Sequence, residues 1–406
     1  MFSCILRSLV RTLRSLFAYG LWAVLLVGTV GAAALWMPAQ DQPGSSSGQQ
    51  SPAPPESGGP QGDVGPYAIP KKKEEPPPPP PTKPKKIEGI GDYSIQVSVP
   101  LVDVPVMVTT KDGQFISSLK KENFKVYEDG VQQTISNFSI SDAPITAVLL
   151  VEFADLGYYG TAITIETLRA SYSFAQSLKK DDWVAVTSYD IKPQILVDFT
   201  QDKGAVLGAL NTLRIPGFAE TNVFDALYDT LDRIDRVEGH KYVILIGSGF
   251  DSFSKLNLDQ ISKKIKTTKD VTIFTVSTGW TIRELCEVNH CTGYTRAGGI
   301  PIDRMDYLQA DNEMKTFAKM TGGRFYQPRF EAEYPGIFHD IAGDIRNQYS
   351  LAYHPTNPRL DGSYRKLKVE VMAADGGPLK VRDQKGKDVK YEINAREGYT
   401  AKHVVD

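Results

Sequence analysis

Two short runs constrain the fold of this chain more than any others: Ala147-Val148-Leu149-Leu150-Val151 and Tyr242-Val243-Ile244-Leu245-Ile246. Both are apolar at every position, without alternation. A strand with no polar face is covered on both sides, as parallel strands are between two helical layers. Between the runs the apolar spacing turns helical. Ile165, Leu168, Tyr172 and Ala175 fall on one face of a helix near residues 163–178. Further helices are expected at 203–213, 223–237, 259–267 and 312–320. Strands are expected at 181–186, 271–276 and 323–326, with 195–199 as an antiparallel edge and Gly322 as a helix C-cap. Right-handed crossovers then give one α/β, doubly wound, mainly parallel sheet.

The flanks read as all-β. Ile95, Val97 and Val99 alternate with polar residues, and Val102, Val104, Val106 and Val108 alternate after Pro100. Asp112-Gly113 and Asp129-Gly130 are hairpin turns, and residues 124–127 and 134–138 are strands. After a helix at 334–348, strands return at 349–353, 364–372 and 379–382, and near Tyr391 and Ile393. These strands are expected to join the first ones. The α/β part would then be inserted in a small β-sandwich-like module built from N- and C-terminal segments. The corresponding divisions are 90–143 for the first β segment, 144–330 for the α/β domain and 331–406 for the helix and second β segment.

The amino-terminal 89 residues are of another kind. Arg7, Arg11 and Arg14 precede residues 16–37, which are all apolar or small. That run is long enough to cross a bilayer, where about 20 residues suffice. It exceeds the usual cleavable signal, which favours a retained anchor with its amino terminus in the cytoplasm. Cleavage near Ala32-Ala33-Ala34 or after Ala39 is the competing reading, so residues 1–39 are a signal anchor or a signal peptide. Either way the remainder is extracytoplasmic: anchored to the cell membrane, or secreted or periplasmic. Residues 40–89, rich in Pro, Gly, Ser and Lys, cannot bury enough apolar area to order themselves and read as a disordered, stiff spacer. The net charge of -2 argues against a nucleic-acid partner. Of three cysteines, Cys286 and Cys291 lie in the exported part. A disulfide between them suits an oxidising compartment. A zinc site with His290 is the alternative, and it lacks an evident fourth ligand.

The ends of the two buried runs, with a Thr at a helix start between them, resemble the von Willebrand factor type A domain. The resemblance extends over residues 93–399 and is closest to a bacterial type A family named from acidobacteria. The lead-in is carried by Asp112-Gly113, Leu119, Asn123-Phe124-Lys125-Val126 and Glu128-Asp129-Gly130. The tail is carried by Arg346, Tyr349, Leu351, Tyr353, Pro355, Asn357, Asp361-Gly362, Arg365-Lys366 and Val369, with Arg396-Glu397-Gly398-Tyr399 at the close. The resemblance implies a type A, Rossmann-like sheet and extracytoplasmic protein binding, with a divalent cation held by D-x-S-x-S, a Thr and an Asp.

Here that cation set is degenerate. The first Asp falls on Glu152, the two Ser positions on Ala154 and Leu156, the Thr on Thr221 and the last Asp on Ser248. Mg2+ demands near-octahedral oxygen ligands, so these losses remove most of the affinity. The expectation is a protein-binding module with no metal and no cofactor. Its partner-binding candidates are Glu152, Phe153, Asp155, Thr221, Ser248, Phe250 and Asp251, at the carboxyl ends of the strands. Tyr158, Tyr159 and Phe218 are further candidates for lining that crevice. The alternative is an adhesion module with a remodelled Mg2+ or Ca2+ site on Glu152, Asp155, Thr221 and Asp251. Against it, Asp225 would face helix or solvent, and Glu220 and Asp251 would cap helices. A third reading is an envelope scaffold with no crevice ligand. An enzyme is not expected. Gly247-Ser248-Gly249 lacks the flanking glycines of a nucleophile elbow, and His240 reads as a surface loop residue.

Overall fold

The computed structural model describes residues 100–401, apart from 112, 142–143, 155–159, 215–217, 219, 281–283, 285–303, 374 and 383–385. The apolar run 16–37, the spacer 40–89, Asp155, Tyr158, Tyr159, Cys286 and Cys291 lie outside the described residues. Among the described residues no helix is long and apolar enough to cross a membrane.

The chain enters through four strands, β1 (Val102–Thr110), β2 (Phe124–Glu128), β3 (Val131–Gln133) and β4 (Ile135–Ser141). It then alternates: β5 (Thr146–Glu152), α1 (Gly160–Ser177), β6 (Trp183–Tyr189), β7 (Pro193–Thr200), α2 (Lys203–Asn211), α3 (Val223–Ile234), β8 (Lys241–Gly247), α4 (Leu258–Thr267), β9 (Val271–Ser277), α5 (Arg304–Thr321), β10 (Phe325–Tyr326) and α6 (Tyr334–Arg346). It closes with β11 (Gln348–Tyr353), β12 (Tyr364–Val371), β13 (Val381–Arg382), β14 (Asp388–Val389), β15 (Tyr391–Ala395) and β16 (Gly398–Thr400).

The central sheet runs β10-β9-β8-β5-β6-β7. Every pairing is parallel except β6 with β7, the antiparallel edge. The unbroken apolar runs are explained by two buried faces. Ala147, Leu149 and Val151 join Tyr242, Ile244 and Ile246 on one face, under Phe174 of α1 and Phe338 and Ile341 of α6. Val148 and Leu150 join Val243 and Leu245 on the other, under Leu227 of α3, Ile261 of α4 and Phe317 of α5. Side chains alternate across a strand, so each run feeds both cores. Leu149 and Leu150 are fully buried, and each such side chain contributes roughly 1.5–3 kcal/mol.

The terminal segments interleave in a two-sheet sandwich. One sheet is ordered β15-β1-β11-β4 and the other β16-β12-β2-β3. β1 pairs antiparallel with β11 and with β15, and β2 pairs with β12, so each sheet mixes strands from before and after the α/β part. Val104, Val106, Val108, Leu351 and Tyr353 of the first sheet share a core with Phe124, Val126 and Leu367 of the second.

Two expectations need correcting. The strand near residues 379–382 joins neither sandwich sheet: among the described residues Val381–Arg382 pairs with Asp388–Val389 in a two-stranded ribbon, with Leu379 and Val381 packed against the sandwich core. α5 starts at Arg304 rather than near 312. Tyr307, Ala310, Met314 and Phe317 keep a buried face through that extra length, which the intervening acidic residues mask in the sequence.

Candidate functional site

The connections leaving β5 set the site. The next strand, β6, lies on one side of β5, and β8 lies on the other. Crossovers diverging from neighbouring strands open a crevice beyond their carboxyl ends. Glu152 ends β5, Gly247 ends β8, and Ser248 follows it.

Glu152 is buried, and both its carboxylate oxygens are engaged. The Ser248 backbone N–H donates to Oε2, and the Ser248 hydroxyl donates to Oε1 at 2.7 Å. The Phe250 N–H donates to Ser248 Oγ at 3.2 Å. Thr221, with no exposed surface, donates its hydroxyl to the Phe250 carbonyl at 2.6 Å. Its own N–H donates to Ser252 Oγ at 2.9 Å, and its carbonyl accepts from the Ser252 and Phe253 amides. Glu152, Ser248, Phe250 and Thr221 therefore form one hydrogen-bonded line across the rim of the sheet. Gly249 makes the turn possible. Its φ is +80°, and a Cβ there would meet Met314 Sδ at 2.6 Å.

The electrostatics follow from burial. Desolvation pushes the Glu152 carboxyl up to about 7, with the two Ser248 hydrogen bonds pulling the other way. Tyr189 pairs with Glu152 in the β5–β6 register. Its buried hydroxyl has no hydrogen-bond partner among the described residues. Burial holds the Tyr189 phenol well above its ordinary range, and the charges of Glu152 and Asp251 add to this. Both oxygens crowd a bare backbone position: a Cβ on Gly247 would sit 2.7 Å from Glu152 Oε2 and 2.9 Å from the Tyr189 oxygen. Asp251 is pushed up to about 6, chiefly by burial, although Ser254 donates to it at 2.6 Å.

Several sequence candidates change role. Phe153 and Phe250 are only 8% and 7% exposed. Phe250 packs edge-on against Tyr307, with ring centroids 4.6 Å apart. Tyr307, in the early part of α5, thus covers Phe250. Asp251 caps α3 from across the site, its carboxylate accepting the Phe224 backbone N–H in the first turn, and it forms an isolated bridge with Asn222. Glu220 holds no cap position, since Asn222 and Asn257 are the N-cap residues of α3 and α4. Asp225 staples the following loop by accepting the Lys255 and Leu256 amides, each at 3.0 Å. Ala154 is buried, and its carbonyl accepts from Thr164. His240 is a loop residue, as expected, but it is half-buried. It lies at the opposite end of β8 from Ser248, bonded to Thr272 Oγ1 at 2.9 Å, and burial pushes its pKa down to about 3.

The sequence reading missed Tyr189, although its position at the end of β6 placed it level with Glu152. It also missed Phe253, 57% exposed beside the Thr221 segment, where Phe218 is 48% exposed. Flanking serines were the available signal for Phe253. Among the described residues no group of three or more His, Cys, Asp or Glu side chains is arranged to hold a metal ion.

No protein-family model matches the sequence, and no curated protein matches it. Solved structures do. The chain is similar to the vWF domain of the type V pili tip protein Mfa5 from Porphyromonas gingivalis, at 13% identity and a TM-score of 0.37, over 51% of this chain and 96% of that one. It is also similar to the conserved hypothetical protein BatB from Bacteroides thetaiotaomicron, at 13% identity and a TM-score of 0.36, over 50% of this chain and 100% of that one. The von Willebrand factor type A protein from Catenulispora acidiphila matches 77% of this chain with 76% of its own, at 10% identity and a TM-score of 0.37. Scores of this size transfer neither ligand nor partner.

Proposed function

We propose that this chain is a von Willebrand factor type A-like module, displayed outside the cytoplasm, that binds another protein through its sheet-end crevice without a divalent cation. One observation carries the reading: the oxygens that would hold a cation are already engaged with protein groups. Ser248 occupies both oxygens of Glu152, and the Thr221 hydroxyl is donated to the Phe250 carbonyl. Ala154 contributes a methyl group where a ligand oxygen would be needed. Burial also raises the Glu152 carboxyl to about 7, which disfavours the ionised form that a hard cation needs. The exposed rings of Phe218 and Phe253, next to the Thr221 segment, suit a protein partner, because aromatic residues are enriched in interface cores. The basic flank and apolar run at residues 7–37 support membrane anchoring.

Calorimetric titration of the full chain with Mg2+, Mn2+ and Ca2+ tests the cation-free reading, with no saturable binding expected. Tight binding abolished by Glu152→Ala would instead establish a remodelled cation site. Partner capture with the full chain as bait should weaken in Phe253→Ala. Capture indifferent to changes at both Thr221 and Phe253 would favour an envelope scaffold.

A further inference from the structure

A cavity of about 270 Å³ opens at the other end of the central sheet. One wall is residues 266–270, the link that leads from α4 into the amino-terminal end of β9. The facing walls belong to the sandwich: the start of β1, the segment before β12, and β16 with the residues beside it. The crevice of Glu152 and Ser248 lies beyond the carboxyl ends of the same strands, so the two sites are separate.

The cavity is cationic. Lys266, Lys269, Arg359 and Arg396 line it, against Asp103 and Asp270. A fifth cation, Arg365, is already neutralised by Glu128. Asp103 is engaged in accepting the Ser350 hydroxyl at 2.5 Å. The last turn of α4 directs carbonyls toward this side, but Thr268 and Thr400 hydroxyls donate to the Lys264 and Lys266 carbonyls at 2.9 and 3.0 Å. Lys266 Nζ lies 5.4 Å from the Tyr364 ring centroid.

Arg396 is the residue that asks for a ligand. It is partly buried, and its one hydrogen bond among the described residues runs from Nε to the Gly398 carbonyl at 2.8 Å. The two terminal nitrogens of the guanidinium have no acceptor and no ion pair there. Desolvation pulls the Arg396 pKa below the ordinary arginine value, with Asp270 opposing. A guanidinium presents a planar fork of donors that matches the oxygens of a phosphate or carboxylate. Leu101, Val102, Leu360 and Ala401 supply an apolar side to the same cavity, the usual composition of a small-molecule site.

We propose that this cavity binds a small organic oxyanion, its phosphate or carboxylate group on Arg396 with Lys269 and Arg359 around it, and its apolar body against Leu101 and Leu360. Lys266 and Lys269 belong to the α/β part, whereas Arg359 and Arg396 belong to the sandwich. A bound anion therefore draws the two together.

Titration of the full chain with phenyl phosphate at low salt tests this, with benzoate, inorganic phosphate and benzyl alcohol in parallel. Saturable binding of phenyl phosphate or benzoate is expected, and whichever binds more tightly identifies the headgroup. Inorganic phosphate should bind more weakly, and benzyl alcohol not at all. Arg396→Gln should weaken binding about tenfold, the worth of a charge-assisted hydrogen bond. Lys269→Glu, at an exposed position that leaves the fold intact, should weaken it several-fold. Absence of saturable binding by both aromatic anions overturns the proposal. So does affinity unchanged by Lys269→Glu and, where Arg396→Gln folds, by that variant also.

Discussion

The Arg365 guanidinium donates to the Glu128 carboxylate at 2.9 Å, with 3% and 2% of their side chains exposed. Glu128 closes β2, before the α/β part, and Arg365 lies in β12, after it. The same carboxylate accepts the Tyr353 hydroxyl at 2.5 Å and the Tyr399 hydroxyl at 2.8 Å. One acidic residue from the first segment thus gathers three donors from the last. The discontinuous sandwich closes on a polar knot as well as on its apolar core.

Breaking this knot from one side should be costly. Glu128→Ala leaves Arg365 buried without its counter-charge, and such losses cost about 3–5 kcal/mol. Replacing both residues by apolar ones of similar volume, Glu128→Leu with Arg365→Met, should cost less than Glu128→Ala alone. Urea unfolding of the three proteins measures the difference. Equal loss in single and double variants would show that the pair acts through packing rather than charge.

Thr221 offers a narrower test. Its hydroxyl is donated to Phe250 O in a site closed to water. Thr221→Val keeps the shape and removes the donor, leaving a buried carbonyl unmet at a cost of about 1–3 kcal/mol. The loop after β8 should loosen first, seen as faster amide exchange at Phe250 and Ser252. Unchanged exchange would mean that Thr221 does not hold that loop.

Much of the architecture was legible because it rests on patterns that local sequence carries. The unbroken runs at 147–151 and 242–246 could be satisfied only by two covering layers, and α1, α6, α3, α4 and α5 supply them. The alternation in Val104, Val106 and Val108 likewise marked a sheet with one buried face. The site was less legible, because side-chain roles depend on what arrives from far away. Phe250 reads as a crevice ring until Tyr307 covers it. That Ser248, distant in sequence, would bond both oxygens of Glu152 is written nowhere in the local pattern. Arg396 looked like a family signature, and only the folded chain shows its guanidinium beside a cavity.

His240 should make the protein sensitive to acid. Burial lowers its folded pKa to about 3 from an ordinary 6.5, with the Arg396 and Lys241 charges adding to the shift. The unfolded chain therefore binds more protons between these values, and stability falls as pH drops from about 6.5. His240→Gln can still bond Thr272 Oγ1 and does not titrate. Relative to the parent, it should gain stability at pH 5 compared with pH 7.5, read as the midpoint of thermal unfolding. An equal difference at both pH values would exclude His240 as the source.

Glu152 should act in the opposite direction. Its folded pKa is raised from 4.5 to about 7 by desolvation, so the native state holds the proton that the unfolded chain releases. Stability from this group is present below the unfolded pKa and is lost as pH rises through about 7. The full shift corresponds to about 3 kcal/mol as an upper bound. Glu152→Gln imitates the protonated form: its carbonyl can accept the Ser248 amide, and its NH2 can donate to Ser248 Oγ. The variant should match the parent near pH 4.5 and exceed it at pH 8, in urea unfolding at the two pH values. A variant weaker than the parent at pH 8 would show that the ionised carboxylate is the form the fold prefers. The same result would remove the electrostatic support for a crevice that works without a cation.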